Sequence, residues 1–333
     1  MSHTLFLTGA TGYIGYTFAS EILHKNGRIE QADITIDKLM LLVRDIEKVK
    51  QQYKELLQDT TVEVAFCETS LEELRVDMVT MPLDYIVHCA AVTKSAEMVA
   101  NSVEVADGIV FGTRNILELA RVKQVKSMVY LSSMEVYGRV EEQEELTKED
   151  TLGTIDLLAA RSCYPMGKRM AEHYCYAYYK EYGVPVKIAR LSQTFGAGVL
   201  PSDNRVFAQF AKAAMSGKDI VLHTSGLSVG NYCEIGDTIN ALWTILVKGN
   251  AGEAYNVVNE KNTMRICDMA QLVAEKVAKG NIKVVYEIDS ANSHGYAAET
   301  KLRLSSEKLR RLGWKPLKGM EEMYCDLIEG LQR

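Results

Sequence analysis

The sequence predicts an α/β fold in which a doubly wound parallel sheet is followed by a smaller α+β lobe. Short, continuous apolar runs alternate with helix-length segments through the first half of the chain. A glycine-rich turn joins the first run to the first helical pattern, and the alternation changes after residue 192. Strands that are apolar throughout are buried on both faces, which is typical of a parallel sheet covered by helices.

Six apolar runs are predicted to be the strands of the main sheet: residues 4–8, 39–43, 62–66, 85–90, 127–133 and 186–192. Helix-length segments separate most of them, and such crossovers join parallel strands. We expect residues 1–195 to form this domain. The later segment 232–260 is expected to fold back and join it.

The second half of the chain is predicted to form the smaller lobe, from residues 196–231 and 261–333. Gly196, Gly198 and Pro201 mark the loop that begins it. The patterns after this loop predict helices near 204–216, 237–248 and 266–279, strands at 219–223, 254–258 and 282–288, and a final helical tail.

Composition excludes several classes of protein. The 333 residues carry a formal charge of −6, with 47% apolar and 25% charged residues, which is average for a globular protein and disfavours nucleic acid as a partner. No run approaches 18 apolar residues, so no membrane span is predicted. Seven cysteines without a CxxC pair favour reduced thiols in a cytoplasmic protein and disfavour a metal site. The acidic run 141–146 is predicted to be a solvated loop.

The first predicted strand continues directly into "GATGYIG", which places glycines at 9, 12 and 15 before a helical pattern. Glycine is required where the chain turns tightly, where the backbone approaches a pyrophosphate and where the helix packs closely on the sheet. The amides at the start of the helix then face the phosphates. Because strand, glycines and helix occur in this order, the motif predicts a dinucleotide site.

The end of the second predicted strand bears on the choice between NADP and NAD. An arginine there accepts a 2′-phosphate, whereas an acidic residue binds the ribose hydroxyl. The sequence reads "LLVRD", with Arg44 followed by Asp45, and Lys48 lies one turn further on. We favour NADP, while Asp45 leaves NAD open. Glu68, after the third strand, is placed to meet the adenine, or it is an ordinary surface carboxylate.

A tyrosine and a lysine four residues apart provide a candidate acid/base pair. Tyr164 and Lys168 share one face of a predicted helix, and the ammonium is expected to lower the phenol's pKa from about 10. Tyr176 and Lys180 have the same spacing, but Tyr164 lies at the helix start, near the strand ends where ligands bind. Ser133 ends a strand and can hold the reacting oxygen, although a lone serine there is more often a cap.

Together these motifs resemble the extended short-chain dehydrogenase/reductase family, the epimerase/dehydratase group acting on sugar nucleotides. The resemblance covers nearly the whole chain, through "TGATGYIG", "IVHCAA", "FGTRNILELA", "LSSMEVYG", "YPMGK", "ARLSQTFGAG", "AYNVVNE" and "KLRRLGW". "SSMEVYG" and "RSCYPMGKRMAE" are most similar to the branch of sugar-nucleotide dehydratases and UDP-glucuronate decarboxylases. The implied fold is Rossmann-like with a substrate-binding lobe.

The resemblance implies a role for each matching residue. Tyr164 would be the base, Lys168 would bind the nicotinamide ribose, Ser133 would orient the substrate hydroxyl and Glu135 would be an active-site carboxylate. Gln193 stands where the family keeps a substrate-binding asparagine. A homodimer is implied, through the tyrosine-rich helix and the helix near 109–122. The motifs further imply cofactor contacts from Gly9, Thr11, Gly12, Tyr13, Ile14, Gly15 and Ala90, and substrate contacts from Arg205 and His223.

Three positions depart from the family pattern. Met134 replaces the acid that dehydratases place beside the glutamate, which makes acid-assisted loss of a hydroxyl doubtful. Gly230 stands where a diphosphate-binding arginine often precedes an aromatic residue, and "HGYAAET" (294–300) replaces a second phosphate-binding segment. The diphosphate contacts could instead come from Arg205, Lys261, Arg265, Lys301 or Arg303.

The expected activity is an NAD(P)-dependent epimerase or dehydratase-like oxidation of a nucleotide sugar to a keto intermediate, and the expected position is C4. Two alternatives stay open. One is an NADPH-dependent reductase of keto-sugars, suggested by Arg44 and the missing arginines. The other is a sensor that binds dinucleotide without turnover.

Overall fold

The computed structural model describes residues 3–141, 145–288 and 299–332. Part of the acidic run at 141–146 and most of "HGYAAET" lie outside the described residues. The strands are β1 (His3–Thr8), β2 (Arg28–Ile29), β3 (Ile34–Val43), β4 (Glu63–Glu68), β5 (Tyr85–His88), β6 (Ser127–Ser133), β7 (Val186–Leu191), β8 (Gln193–Phe195), β9 (Ile220–Leu222), β10 (Val229–Gly230), β11 (Tyr232–Glu234), β12 (Ala254–Val257), β13 (Met264–Arg265) and β14 (Val284–Tyr286).

The helices are α1 (Tyr13–His24), α2 (Ile46–Gln52), α3 (Lys54–Gln58), α4 (Ser95–Ala100), α5 (Ser102–Lys123), α6 (Cys163–Tyr182), α7 (Val206–Ser216), α8 (Ile235–Lys248), α9 (Ile266–Leu272), α10 (Glu307–Arg311) and α11 (Met320–Gln332). Within the described ranges, no helix combines the length and the apolarity that a membrane span requires.

The main sheet runs in the order β12-β7-β6-β5-β1-β3, with β4 and β2 both paired to β3. All of these pairs are parallel except the short β2–β3 pair. The six predicted sheet strands are present and the predicted doubly wound α/β fold is confirmed. Because the strands are parallel, the carboxyl ends of β1, β3, β4, β5, β6 and β7 meet at one edge of the sheet, where open α/β sheets bind ligands.

Buried apolar side chains fill both faces of the main sheet. One core joins α1 and α8 to the sheet, and the rings of Phe18 and Trp243 stack there at 4.3 Å. The second core, on the opposite face, includes Ile109 of α5 and Ala171 of α6. A third core in the C-terminal half packs α7, α9 and α11 together. Helix α6 is therefore packed against both α5 and the sheet.

Some predicted boundaries are wrong. The second sheet strand starts five residues earlier than predicted, at Ile34, because its first residues pair with β2. The predicted helix 266–279 ends as an α-helix at Leu272 and continues as a wide π-helical turn over Val273–Val277. The strand predicted at 282–288 is limited to Val284–Tyr286, the residues that pair with β9.

Candidate active site

The glycine turn lies between β1 and α1, against the end of β5. Gly9 has a φ of +72°, and a Cβ there would lie 2.8 Å from the Ala90 nitrogen. A Cβ on Gly15 would overlap the Gly9 carbonyl oxygen. The Gly12 amide donates to that same oxygen at 3.0 Å, and α1 starts at the next residue. These glycines form a turn whose backbone a phosphate can approach closely.

Tyr13 contributes to this turn and also joins the two halves of the molecule. Its hydroxyl donates to the Ala197 carbonyl at 3.0 Å, and its ring packs against both the α1–α8 core and the C-terminal core. Its side chain therefore has a packing role. The first turn of α1 contains the amides of Tyr13, Ile14 and Gly15. These amides have no partner within the helix and are therefore available to a dinucleotide.

A buried hydrogen-bonded chain holds the turn against β5 and α5. The Ala90 amide donates to Thr8 Oγ1 at 3.1 Å, and Thr8 Oγ1 is 2.7 Å from His88 Nδ1. His88 Nε2 is 3.2 Å from Thr113 Oγ1. Burial, with Lys168 nearby, lowers the pKa of His88 to about 3, so the imidazole is neutral. The sequence analysis missed this chain, although Thr8 and His88 lie within the quoted motifs.

The residues that bear on cofactor choice lie together at the ends of β3 and β4, where Val43 pairs with Glu68. Asp45 caps α2, because its Oδ1 accepts from the Lys48 amide at 3.0 Å. Glu68 Oε1 accepts from the Ile46 amide at 3.1 Å. Both carboxylates thus have structural contacts, and Arg44, Asp45 and Glu68 are all exposed.

The candidate acid/base pair lies on α6, beside the end of β6. The side chain of Tyr164 is buried, with 7% of the residue exposed, whereas Tyr176 of the competing pair is 46% exposed. Lys168 Nζ donates to the Leu131 carbonyl at 2.7 Å and lies 5.8 Å from the Tyr164 ring centroid. Ser133, at the end of β6, lies close enough to Tyr164 to lower the pKa of its phenol. The structure therefore brings Tyr164, Lys168 and Ser133 together and leaves the Tyr176–Lys180 pair at the surface.

The electrostatics of this pair differ from expectation. Burial, followed by the Glu135 charge, raises the pKa of Tyr164 to about 12, while Ser133 and Arg161 act in the opposite direction. Burial also lowers the pKa of Lys168 to about 8. The expectation of a lowered phenol pKa is wrong for this structure, because desolvation of the buried ring raises the pKa. At neutral pH the phenol carries its proton.

Arg161 is a site residue that the sequence analysis did not single out. Its Nη1 and Nη2 donate to the two carboxylate oxygens of Glu135 at 2.6 and 2.8 Å. Arg161 lies in the short 3₁₀ turn before α6, and Glu135 in the turn after β6. The available signal was its position three residues before Tyr164 in "RSCY".

The expected substrate contacts are spread along the C-terminal half. Gln193 begins β8 and is half-buried. Arg205 pairs with Asp203 at 2.6 Å, and Arg265 pairs with Asp268 at 2.7 Å. His223 Nδ1 lies 3.3 Å from the Glu287 carbonyl oxygen. Arg205, Arg265 and His223 are thus each engaged with another protein group in this structure.

Two further features concern the expected diphosphate contacts. A Cβ on Gly230 would overlap the Tyr232 hydroxyl, so an arginine cannot replace this glycine without movement of that ring. Lys261 lines a cavity of about 650 Å³ in the C-terminal half, together with Lys318 and Asp326.

Comparison with known proteins identifies the family. The model of the "NAD dependent epimerase/dehydratase family" matches residues 5–259, which is more than half of the chain. The chain belongs to this family. The resemblance to extended short-chain dehydrogenases/reductases is thereby confirmed, and the protein is an enzyme of the NAD-dependent epimerase/dehydratase type.

Individual relatives are distant but cover nearly all of the chain. A UDP-glucuronic acid decarboxylase from Danio rerio is 28% identical over 333 residues, which are 99% of this chain and 72% of the relative. The UDP-glucose 4-epimerase of Thermotoga maritima, solved with UDP-glucose, has a TM-score of 0.78 at 19% identity and covers 98% of both chains. The dTDP-glucose 4,6-dehydratase of Bacillus anthracis, solved with NAD, has a TM-score of 0.75 at 21% identity and covers 98% of this chain and 96% of that one.

Proposed function

We propose that this enzyme oxidises a hydroxyl of a nucleotide-linked sugar, at C4, to a keto intermediate, with Tyr164 as the base. The observation that carries the proposal is the juxtaposition of buried Tyr164, Lys168 and Ser133 at the sheet edge where the glycine turn also lies. UDP- and dTDP-linked sugars are named for the relatives, which supports this substrate class.

The glycine turn fits a nicotinamide dinucleotide. Side chains are excluded from Gly9 and Gly15 by backbone atoms, which leaves the first amides of α1 for the pyrophosphate. When bound, the nicotinamide supplies the hydride acceptor for the sugar carbon. Tyr164 takes the hydroxyl proton in its phenolate form, and Ser133 holds the same oxygen. Burial raises the pKa of Tyr164 to about 12, so this step requires prior loss of the phenol's proton, which Ser133 and Arg161 favour. Lys168, buried with its Nζ 5.8 Å from the Tyr164 ring centroid, would bind the nicotinamide ribose.

The residues next to Ser133 bear on which step follows formation of the keto intermediate. Loss of water requires a proton donor, but Met134 has none, and both oxygens of Glu135 accept from Arg161. This arrangement supports return of the hydride to the keto carbon, as in epimerisation, or loss of a neighbouring carboxylate, more than dehydration.

We further propose NADP as the preferred cofactor. The family description and the Bacillus anthracis neighbour both name NAD. The NADP preference depends on Arg44, which is exposed at the end of β3 while Asp45 is engaged in capping α2. Arg44 also favours the second candidate function, a net NADPH-dependent reductase of keto-sugars. Stoichiometric consumption of NADPH with a keto-sugar would support this second function.

We also propose a homodimer through α5 and α6. Several apolar side chains on and beside these helices are exposed, with Val103 at 71% and Leu158 at 97%. A cavity of about 410 Å³ lies among them, lined in part by Val103, Leu157 and Met166.

The test of the proposed reaction is Tyr164→Phe, with Tyr176→Phe as the matched control because Tyr176 has the same spacing to a lysine. UDP-glucose, UDP-glucuronate and dTDP-glucose are incubated with NAD or NADP, and products are separated by mass and by anomeric NMR signals. We expect Tyr164→Phe to reduce turnover about a hundredfold to ten-thousandfold, the range that acid/base catalysis contributes. Cofactor affinity should stay within twofold, and the control should match the parent.

Turnover by Tyr164→Phe at the parental rate would contradict the proposal. Tight cofactor binding by the parent without turnover of any of the three sugars, or of their 4-keto forms, would favour the non-catalytic sensor.

A further inference from the structure

Arg161 is a charged side chain that acts on the phenol of Tyr164 but takes no direct part in the proposed reaction. We infer that Arg161 is a positioning residue, whose two-point pair with Glu135 fixes that carboxylate beside Tyr164 and balances its charge. The inference rests on the proposed function, because it assigns Tyr164 as the base. It adds a residue whose effect on the reaction is exerted through Glu135 and Tyr164.

The geometry of the pair is suited to positioning. Two parallel hydrogen bonds, at 2.6 and 2.8 Å, fix the orientation of the carboxylate as well as its position. Arg161 Nε also lies 3.4 Å from Ser95 Oγ at the start of α4. The guanidinium therefore connects the turn after β6, the turn before α6 and α4, three elements that are not consecutive in sequence.

The same turn also brings Ser133 next to the phenol. Ser133 Oγ accepts from the Glu135 amide at 3.2 Å, and the Ser133 hydroxyl lies close enough to Tyr164 to lower the pKa of its phenol. Arg161 precedes Tyr164 by three residues in the chain, and its guanidinium donates to the carboxylate of Glu135. Rotation of the Glu135 side chain away from this arrangement requires both guanidinium bonds to break.

The charges around Tyr164 define the expected consequence. Glu135 and Arg161 act on the phenol with opposite signs, from the two turns. On α6, Lys168 lies 5.8 Å from the ring centroid and Cys163 precedes Tyr164. On β6, the buried Tyr130 and the Ser133 hydroxyl carry no charge at neutral pH. Removal of Arg161 leaves the Glu135 charge uncompensated, which disfavours the phenolate.

The experiment measures the pH dependence of kcat/KM for the sugar between pH 5 and 10, with saturating oxidised cofactor. UDP-glucose and UDP-glucuronate are the probes. Arg161→Met should move the rising limb of the profile to higher pH by about one unit, which is about tenfold at a fixed pH on that limb. Glu135→Gln should move the limb in the opposite direction, and Arg161→Lys should lie between Arg161→Met and the parent. The double variant Arg161→Met/Glu135→Gln should return to within about 0.3 unit of the parent.

Arg121→Met is the matched control. Arg121 also forms a two-point pair with a glutamate, Glu118, at 2.6 and 2.9 Å. The side chains of Arg121 and Glu118 are 40% and 38% exposed. Those of Arg161 and Glu135 are similarly exposed, at 43% and 30%. This pair lies on α5, and its loss should leave the pH profile unchanged. Opposite shifts in the two single variants cannot result from a general loss of structure.

Profiles of Arg161→Met and Glu135→Gln that coincide with the parent's would overturn the inference, as would shifts of the same sign. If Arg161→Met does not fold, the sign of the Glu135→Gln shift decides. A second readout needs no turnover: alkaline difference absorbance of tyrosinate, each protein minus its Tyr164→Phe counterpart, should show a lower midpoint in Glu135→Gln than in the parent. Activity in Tyr164→Phe would instead contradict the proposed function itself.

Discussion

Among single residues, Arg44 determines whether the cofactor prediction holds. It is exposed at the end of β3, where a 2′-phosphate on the adenosine ribose would lie in a site of this type. Arg44→Ala should raise the Kd for NADP by about tenfold to a hundredfold, the value of one charge-assisted contact, and that for NAD by less than twofold. Isothermal titration with both cofactors measures this.

Arg75→Ala is the control for Arg44→Ala, because Arg75 is another exposed arginine and pairs with Asp77 outside the proposed cofactor site. An equal loss of affinity for both cofactors in Arg44→Ala would exclude a role in distinguishing them.

The sequence predicted the placement of single residues where the cause is local. The four-residue spacing of Tyr164 and Lys168 places both on one helix face, and the helix start distinguishes them from Tyr176 and Lys180. The pKa of Tyr164 could not be predicted in the same way. It depends on burial by the second core and on the charges of Glu135 and Arg161, which are 26 residues apart and meet only because β6 and α6 are adjacent in the folded chain.

Within single elements, β7 carries a buried charge at the end of the sheet opposite the site. Lys187 is 6% exposed, and its Nζ donates to Ser127 Oγ at 2.6 Å and to the Leu246 carbonyl at 3.5 Å. Burial lowers its pKa to about 8. Lys187→Met should raise the free energy of unfolding at pH 7 by about 1–3 kcal/mol, because an ammonium is no longer desolvated.

This gain should depend on pH. The unfolded lysine has a pKa of about 10.4, so between pH 8 and that value the unfolded parent binds more protons than the folded parent. The parent therefore recovers stability relative to the variant as pH rises through this window, and the difference should approach zero near pH 10. Urea unfolding at pH 7, 8.5 and 10 measures it, with Lys38→Met, at an exposed position of β3, as the control. A difference that is constant with pH would mean that burial does not lower the pKa of Lys187 in the folded protein.

Elements were predictable from sequence where hydrophobic pattern and turn chemistry agree. The six sheet strands and α1 follow from continuous apolar runs and from Gly9, Gly12 and Gly15. The errors occur where tertiary pairing extends or shortens an element, as at Ile34, where β2 adds an antiparallel partner. The π-helical turn after Leu272 has no signal in the apolar spacing that predicted the helix.

At the scale of the whole molecule, the proposed homodimer depends on the surface of α5 and α6. Phe111 of α5 is 47% exposed and Met170 of α6 is 42% exposed, and both can lie in a contact between copies without supporting the fold of one chain. Phe111→Glu and Met170→Glu should therefore leave the monomer folded and raise the dimer dissociation constant at least about a hundredfold, because a buried charge without a partner is costly.

Sedimentation velocity at about 0.2 and 20 µM protein measures the oligomeric state. Val247→Glu is the control, because Val247 is similarly exposed but lies on α8, which packs on the opposite face of the sheet. The parent and the control should sediment as dimers at the higher concentration and the two α5–α6 variants as monomers. A parent that sediments as a monomer at both concentrations would contradict the homodimer, and dissociation of the Val247→Glu protein would place the contact on α8 instead.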